Sequence, residues 1–260
     1  MKNYWKEKVG RGEQTCGTFI NAGDSLLTEA GALSKMDFFI IDTEHGPFDV
    51  ETAADFIRAI ERHGKTAMVR VKDGNRNSIL KMLDVGAKAL IIPQIHNLDE
   101  VKKAVEYGKY FPVGDRGVAQ GRAVGFGYDE CCANPLPEYF RICNEETMLL
   151  PQCETTGALE QIEEIAALDG VDGIFIGPFD LSTSMGIPGG FGEPKFQEAL
   201  DRIRNACKAA GKPCIMFGAN NNAAKMYKAQ GFDHLCVNMN PNIYHDALNA
   251  IVDDVMGADT

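Results

Sequence analysis

No C-x-x-C pair occurs among the eight cysteines (Cys16, Cys131, Cys132, Cys143, Cys153, Cys207, Cys214 and Cys236), and the five histidines show no zinc-like spacing with them. That removes the usual structural zinc sites. Several of the thiols sit inside apolar runs, where cysteine behaves as a small hydrophobe. Reduced thiols, and so a cytoplasmic protein, are expected rather than a disulfide framework. Basic charge is also scarce: 26 Lys and Arg stand against 37 Asp and Glu, a net charge of −11. Phosphate backbones need a basic surface, so a nucleic-acid partner is not expected. No run reaches the roughly 18 apolar residues of a membrane span, so no membrane partner is expected either. The opening MKNYWKEKVGRGEQ carries charge but no apolar stretch of the kind a secretion signal needs. Linkers, repeats and low-complexity tracts are missing too.

What is present is a regular alternation. Short apolar runs occur at CGTFIN (16–21), FFIID (38–42), TAMVRV (66–71), ALIIP (89–93), MLLPQC (148–153), GIFIGP (173–178), CIMFGA (214–219) and HLCVN (234–238). They are nearly continuous rather than alternating, as parallel strands covered on both faces are. Amphipathic segments separate most of them. VETAADFIRAIERHG (50–64) puts Ala53, Phe56, Ile57 and Ile60 on one face, with Asp49 as its cap and Gly64 as its stop. TTGALEQIEEIAALDG (155–170) opens on a threonine cap, and EPKFQEALDRIRNACKAAG (193–211) carries Pro194 near its first turn. Eight such units in 260 residues, 45% of them hydrophobic, predict one (β/α)8 barrel domain over 1–260; an open doubly wound sheet is the alternative. One connection, 110–146, is long and rich in Gly and Arg in its first half. Following the fourth strand, it is expected to start from the C-terminal side of the barrel and to cap the mouth.

Barrel enzymes carry their chemistry at the C-terminal ends of the strands. The second run ends in Asp42, Glu44 and His45, the third in Arg70, the fourth at Gln94, the fifth at Gln152 and Glu154, the sixth at Gly177-Pro178-Phe179-Asp180, and the last at Asn238. Only Lys72 among the lysines lies near such an end. Glu154 and Asp180 follow adjacent strands, so they suit a hard divalent ion such as Mg²⁺ or Mn²⁺; each is equally well placed to cap the helix it precedes. Arg70, in an otherwise apolar strand, either meets a ligand or pairs with Asp42 or Glu44. Asp84 ends a helix, where the macrodipole disfavours an acid. It is either an exposed acid or one with a tertiary partner such as an imidazole. The turn 178–181 presents free N–H groups able to hold a small carboxylate.

Taken together, FFIIDTEHGPFD, MVRV, MLDVGAKALIIPQI, KYFPVGDRGVA, LLPQCET and VDGIFIGPFDLSTSMGIPG resemble the metal-dependent, class II pyruvate aldolases of the HpcH/HpaI aldolase family, in family order from about residue 15 to 200. The resemblance implies a (β/α)8 barrel binding Mg²⁺, Mn²⁺ or a similar ion such as Co²⁺ through Glu154 and Asp180. It implies that Arg70 contacts the keto oxygen of pyruvate, with Gln152, Gly177, Pro178 and Phe179 also in the substrate site. His45, held by Asp84, would be the acid–base group, with Asp42 and Glu44 supporting. It further implies a homo-oligomer, typically a hexamer, with the C-terminal helix exchanged between subunits. Departures from the pattern are Cys153 where an aliphatic residue is usual, Phe179 where a small residue is common, and a last strand without the usual Gly-containing ending. The expected reaction is cleavage of a 4-hydroxy-2-oxoacid to pyruvate and an aldehyde through a metal-stabilised enolate. A Schiff-base aldolase needs a lysine in the barrel, and GIFIGP has none. An acyl-CoA lyase of the citrate-lyase type needs a basic groove, for which Arg116 and Arg122 are the candidates. A non-catalytic ketoacid-binding barrel is the third alternative.

Overall fold

The computed structural model describes residues 2–257. Eight parallel strands close into a barrel in chain order: β1 (Thr15–Ile20), β2 (Phe38–Asp42), β3 (Thr66–Arg70), β4 (Ala89–Ile92), β5 (Met148–Cys153), β6 (Ile174–Ile176), β7 (Cys214–Gly218) and β8 (His234–Met239). β1 pairs with β8, so the sheet is closed and the doubly wound alternative does not apply. Side chains alternate in direction along a strand. Phe38, Ile40, Met68, Ala89, Ile91, Leu150 and Ile215 fill the interior. Their neighbours Phe39, Ile41, Ala67, Val69, Leu90 and Ile92 pack outward under the helices. Both sets are buried, which is why the runs read as continuous.

Trp5, on the helix Tyr4–Gly10 ahead of β1, belongs to the interior cluster. Its indole N–H donates to Thr15 Oγ1 (2.8 Å), and its ring meets Phe38 and His234 edge-on at 5.9 and 5.5 Å. The opening segment therefore closes the N-terminal end of the barrel.

Local signals act as expected at most helix ends. Asp49 Oδ1 accepts from Thr52 N–H (2.9 Å) ahead of Val50–Glu61, and Thr155 Oγ1 accepts from Ala158 N–H (3.0 Å). The segment 155–170 is not one helix, however. It breaks at Gln161 into Thr156–Glu160 and Ile162–Ala167. Arg202 Nη2 donates to the Glu160 carbonyl at 3.0 Å, taking an acceptor that a continuous helix would use.

The 110–146 connection does not cap the mouth. The helix Leu98–Gly108 runs back down the outside of the barrel before the connection begins, so the excursion starts at the N-terminal end. Arg116 Nη2 donates there to Asp84 Oδ1 (2.8 Å), and Arg122 donates to Val85 O (2.8 Å) and Glu61 Oε2 (2.9 Å). These acceptors lie at the last turns of the helices Arg76–Asp84 and Val50–Glu61. Gly86 is needed at that junction: its φ is +111°, and a Cβ would fall 2.4 Å from Arg122 Nη1. The connection is also partly regular, with 3₁₀ turns at Arg122–Gly127 and Glu130–Ala133 and an α-helix at Leu136–Glu146.

The last helix, Asn240–Met256, buries none of its residues. Ile243, Tyr244, Leu248, Ile251, Val252 and Val255 are all exposed along it. No helix among the described residues is long and apolar enough to cross a membrane.

Candidate active site

The β2–β3 register places Asp42 beside Arg70. Asp42 is fully buried, and its carboxylate is saturated with donors. Oδ1 accepts from Arg70 Nε (2.9 Å) and from the N–H groups of Glu44 (3.1 Å) and His45 (3.3 Å). Oδ2 accepts from Arg70 Nη2 (2.6 Å) and Asn21 Nδ2 (2.5 Å). Burial alone would push the Asp42 carboxyl up, but the Arg70 hydrogen bonds and charge, with the two backbone N–H groups, hold it below the ordinary aspartate value. The guanidinium lies 4.7 Å over the Phe19 ring. Of the two alternatives for Arg70, pairing with a strand-end carboxylate is the one observed. It pairs with Asp42, and it also lines an open cleft of about 310 Å³ at the barrel mouth. Its Nη1 makes no hydrogen bond within the described residues.

Glu44 sits 3.3 Å from Arg70 Nε and 3.8 Å from His45 Nε2. Burial and the neighbouring Asp42 and Asp180 outweigh the Arg70 and His45 charges, and its carboxyl is raised. His45 is exposed at the cleft rim, with its imidazole 68% accessible. The expected Asp84–His45 pair does not form within the chain. Asp84 lies in the last turn of a nine-residue helix that starts at the mouth, which carries it about 12 Å toward the other end of the barrel. Its carboxylate is bonded to Arg116 instead.

Glu154 is buried across the cleft. Oε1 accepts from Gln94 N–H (2.6 Å) and Gln94 Nε2 (3.2 Å), and Oε2 is bonded by the Gln152 amide. Burial pushes its carboxyl up to about 7, and the charges of Glu44 and Asp180 add to the rise against the Gln94 and Gln152 hydrogen bonds. Capping does not explain either member of the pair. Thr155, not Glu154, caps the helix after β5, and Pro178–Ser184 has Gly177 as N-cap with no side-chain cap bond. Gly177 is required by the close approach of the carboxylate, since a Cβ would lie 2.8 Å from both Glu154 Oε2 and Gln152 Nε2.

The mouth thus has more acceptors than donors. Glu44 Oε2 and Gln152 Oε1 are buried there without hydrogen-bond partners. Among the described residues no group of three or more His, Cys, Asp or Glu is arranged as a complete metal site. Two carboxylates with unsatisfied oxygens beside them fit a hard cation that takes its remaining ligands from water and substrate. Three contributors escaped residue-level reading or received no role from it: Asn21, Gln94 and Phe19. All stand at or next to strand C-terminal ends, the same signal that picked out the others. Gln94 also has a left-handed φ of +53°, which turns its N–H onto Glu154.

A closed parallel barrel with an arginine, an imidazole and carboxylates at its mouth is suited to breaking a carbon–carbon bond, and the relatives of the chain make it a lyase of the aldolase type. The chain belongs to the HpcH/HpaI aldolase/citrate lyase family, whose sequence model matches residues 15–241. A 2-keto-3-deoxy-L-rhamnonate aldolase of Klebsiella pneumoniae subsp. pneumoniae is 32% identical over 251 residues, 96% of this chain and 91% of that protein. Among solved structures, an HpcH/HpaI aldolase/citrate lyase family protein from Burkholderia cenocepacia J2315 matches with a TM-score of 0.88 and 29% identity, covering 98% of this chain and 100% of that one. The citrate synthase SbnG matches with a TM-score of 0.83 and 28% identity, covering 98% of each chain.

Proposed function

We propose that the protein cleaves a 4-hydroxy-2-oxoacid to pyruvate and an aldehyde. The observation that carries this assignment is the buried Glu154, which caps nothing and stands with Asp180 across the cleft from Arg70. A divalent ion held by Glu154 and Asp180 (Mg²⁺, Mn²⁺ or Co²⁺) would supply Lewis acidity at the keto oxygen. In the cleavage the C3–C4 bond breaks and its electron pair stays on C3 as the enolate. His45 accepts the proton of the C4 hydroxyl, directly or through a water, and the aldehyde leaves. A proton delivered to C3 completes pyruvate. Arg70, held by Asp42, turns its free Nη1 edge to the enolate oxygen. The backbone N–H groups of Phe179 and Asp180 bind the carboxylate, Gln152 offers its unpaired Oε1, and Glu44 supports the imidazole.

Pyruvate release should therefore be abolished by EDTA and restored by Mn²⁺ across a panel of 4-hydroxy-2-oxoacids. Full activity in EDTA would remove Glu154 and Asp180 from the chemistry. The acyl-CoA alternative loses its basic groove, because Arg116 and Arg122 are tied to Asp84 and Glu61 at the opposite end of the barrel.

The same proposal includes a cytoplasmic homo-oligomer, a hexamer, that exchanges the C-terminal helix. Two features support it. The helix Asn240–Met256 leaves its apolar side chains uncovered, and a groove of about 380 Å³ lies beside β1 and β8, lined in part by Cys16, Met36, Leu235 and Val237. An Asp84–His45 contact would then be one between chains. Deleting 241–260 should reduce the mass measured by light scattering from a hexamer to smaller species. An unchanged mass would refute the exchange.

A further inference from the structure

The cleft has two chemically different arcs. From β2 to β6 it presents Arg70, His45, Gln152 and Asp180; from β6 round to β1 it presents Phe175, Phe179, Phe217, Met239 and Phe19. The rings of the second arc hold one another edge-on. Phe19 meets Phe175 at 5.8 Å and Phe217 at 5.6 Å, with interplanar angles of 78° and 69°. Phe179 is fixed by Phe191 at 5.1 Å and 82° and leans on Phe217 at 6.3 Å. Such contacts give a rigid apolar surface rather than a yielding one. Phe179 nevertheless leaves 48% of its surface exposed, and the cleft is among the spaces it faces.

The composition of the lining is equally specific. It contains no Ser, Thr, Tyr or Lys. A second carboxylate on the substrate would find no cation on the apolar arc, and a polyhydroxylated chain would find no side-chain hydrogen-bond partner there. Burying such groups unpaired is costly, whereas an apolar fragment gains by covering Phe179, Phe217 and Met239, the members of the arc that keep accessible surface. The oxoacid end is committed to the polar arc by Arg70, Gln152, Glu154 and Asp180. The phenylalanine arc is then the apolar surface that this chain offers to the fragment beyond C4.

We infer that the aldehyde handled by this enzyme carries an apolar chain, aryl or branched alkyl, and neither a second carboxylate nor a polyol. This rests on the aldol assignment above. The test is calorimetric titration of the full-length protein in MnCl₂ with three 2-oxoacids that lack the 4-hydroxyl and cannot be cleaved: pyruvate, 2-oxo-4-phenylbutanoate and 2-oxoadipate. The phenyl compound should bind about tenfold or more tightly than 2-oxoadipate. In Phe179→Ala, a half-exposed position whose truncation leaves the core intact, that ratio should fall severalfold. Pyruvate binding with equal or reversed affinities for the two longer acids overturns the inference alone. An unchanged ratio in Phe179→Ala overturns its assignment to the phenylalanine arc. Failure to bind pyruvate overturns the aldol assignment and the inference with it.

Discussion

Arg70→Ala should lower kcat for pyruvate release by about 10²–10³-fold, the usual loss when one preorganised donor to a developing oxyanion is removed. The same substitution should destabilise the fold by about 3 kcal/mol, because it strips the main counter-charge from a buried carboxylate. Asp42 would keep Asn21 Nδ2 and two backbone N–H donors, which places the cost at the low end for a broken buried pair. Urea unfolding and steady-state kinetics measure the two effects separately. The double variant Asp42→Asn/Arg70→Ala should recover most of the stability and none of the activity. The amide introduced in place of the Asp42 carboxylate would turn its N–H₂ toward Asn21, whose Oδ1 is now buried without a partner and becomes available by an amide flip. Equal recovery of stability and rate would show that Arg70 acts only by holding the fold. Arg70→Lys should rescue neither fully, since an ammonium cannot match two carboxylate oxygens side by side.

The pair also sets an acid limit. Asp42 is depressed in the folded state, so its contribution is fully present above the unfolded aspartate value of about 3.9 and is lost as pH falls through the lower folded value. In Arg70→Ala, burial of the Asp42 carboxyl is no longer outweighed by the guanidinium. Unfolding free energy should then respond much less to pH across that window than in the parent protein. An identical acid dependence in both would sever the link between Arg70 and Asp42.

The barrel was legible because eight runs apolar on both faces, most of them followed by an amphipathic segment, favour a closed sheet over the open alternative. Asp42, Arg70, Glu154 and Asp180 were legible because strand ends converge in a barrel, whatever the intervening sequence. Sequence reading failed where direction along a helix mattered. Nothing in 110–146 itself says at which end of the barrel it lies; the length of Leu98–Gly108 decides that. Asp84 does not reach His45 within its own chain for the same reason, since the helix Arg76–Asp84 carries it away from the mouth. The donors to Glu154 were hidden because the Gln94 N–H reaches it only through a left-handed backbone conformation on a non-glycine residue. Trp5 was hidden because one buried aromatic in a charged opening segment has no periodicity to mark it.

Glu154→Gln should produce effects of opposite sign on activity and stability. Pyruvate release should fall by at least about 10³-fold, because a neutral amide is a poor ligand for a hard divalent ion and Asp180 alone cannot hold it. Calorimetric titration with Mn²⁺ should show the affinity lost with the activity. The fold, measured in metal-free buffer, should be unchanged or slightly more stable. Glu154 is buried beside two other carboxylates, Glu44 and Asp180, and its own carboxyl is driven up to about 7 in response. An isosteric amide removes that repulsion and the cost of burying a charge. The number of stranded polar atoms need not rise: the amide oxygen can keep the Gln94 N–H, and a flip of Gln152 turns its Oε1 to the new N–H₂ while its Nε2 takes the unpaired place that Oε1 holds now. Thermal melting in EDTA is the check, and the expected shift is zero to a few degrees upward for a chain of this size. A large fall in melting temperature would mean that Glu154 is a structural carboxylate whose hydrogen bonds to Gln94 and Gln152 are its purpose. A neutral or raised value together with lost Mn²⁺ binding would mean that the fold tolerates an unfavourable charge at this position for the sake of the ion it holds.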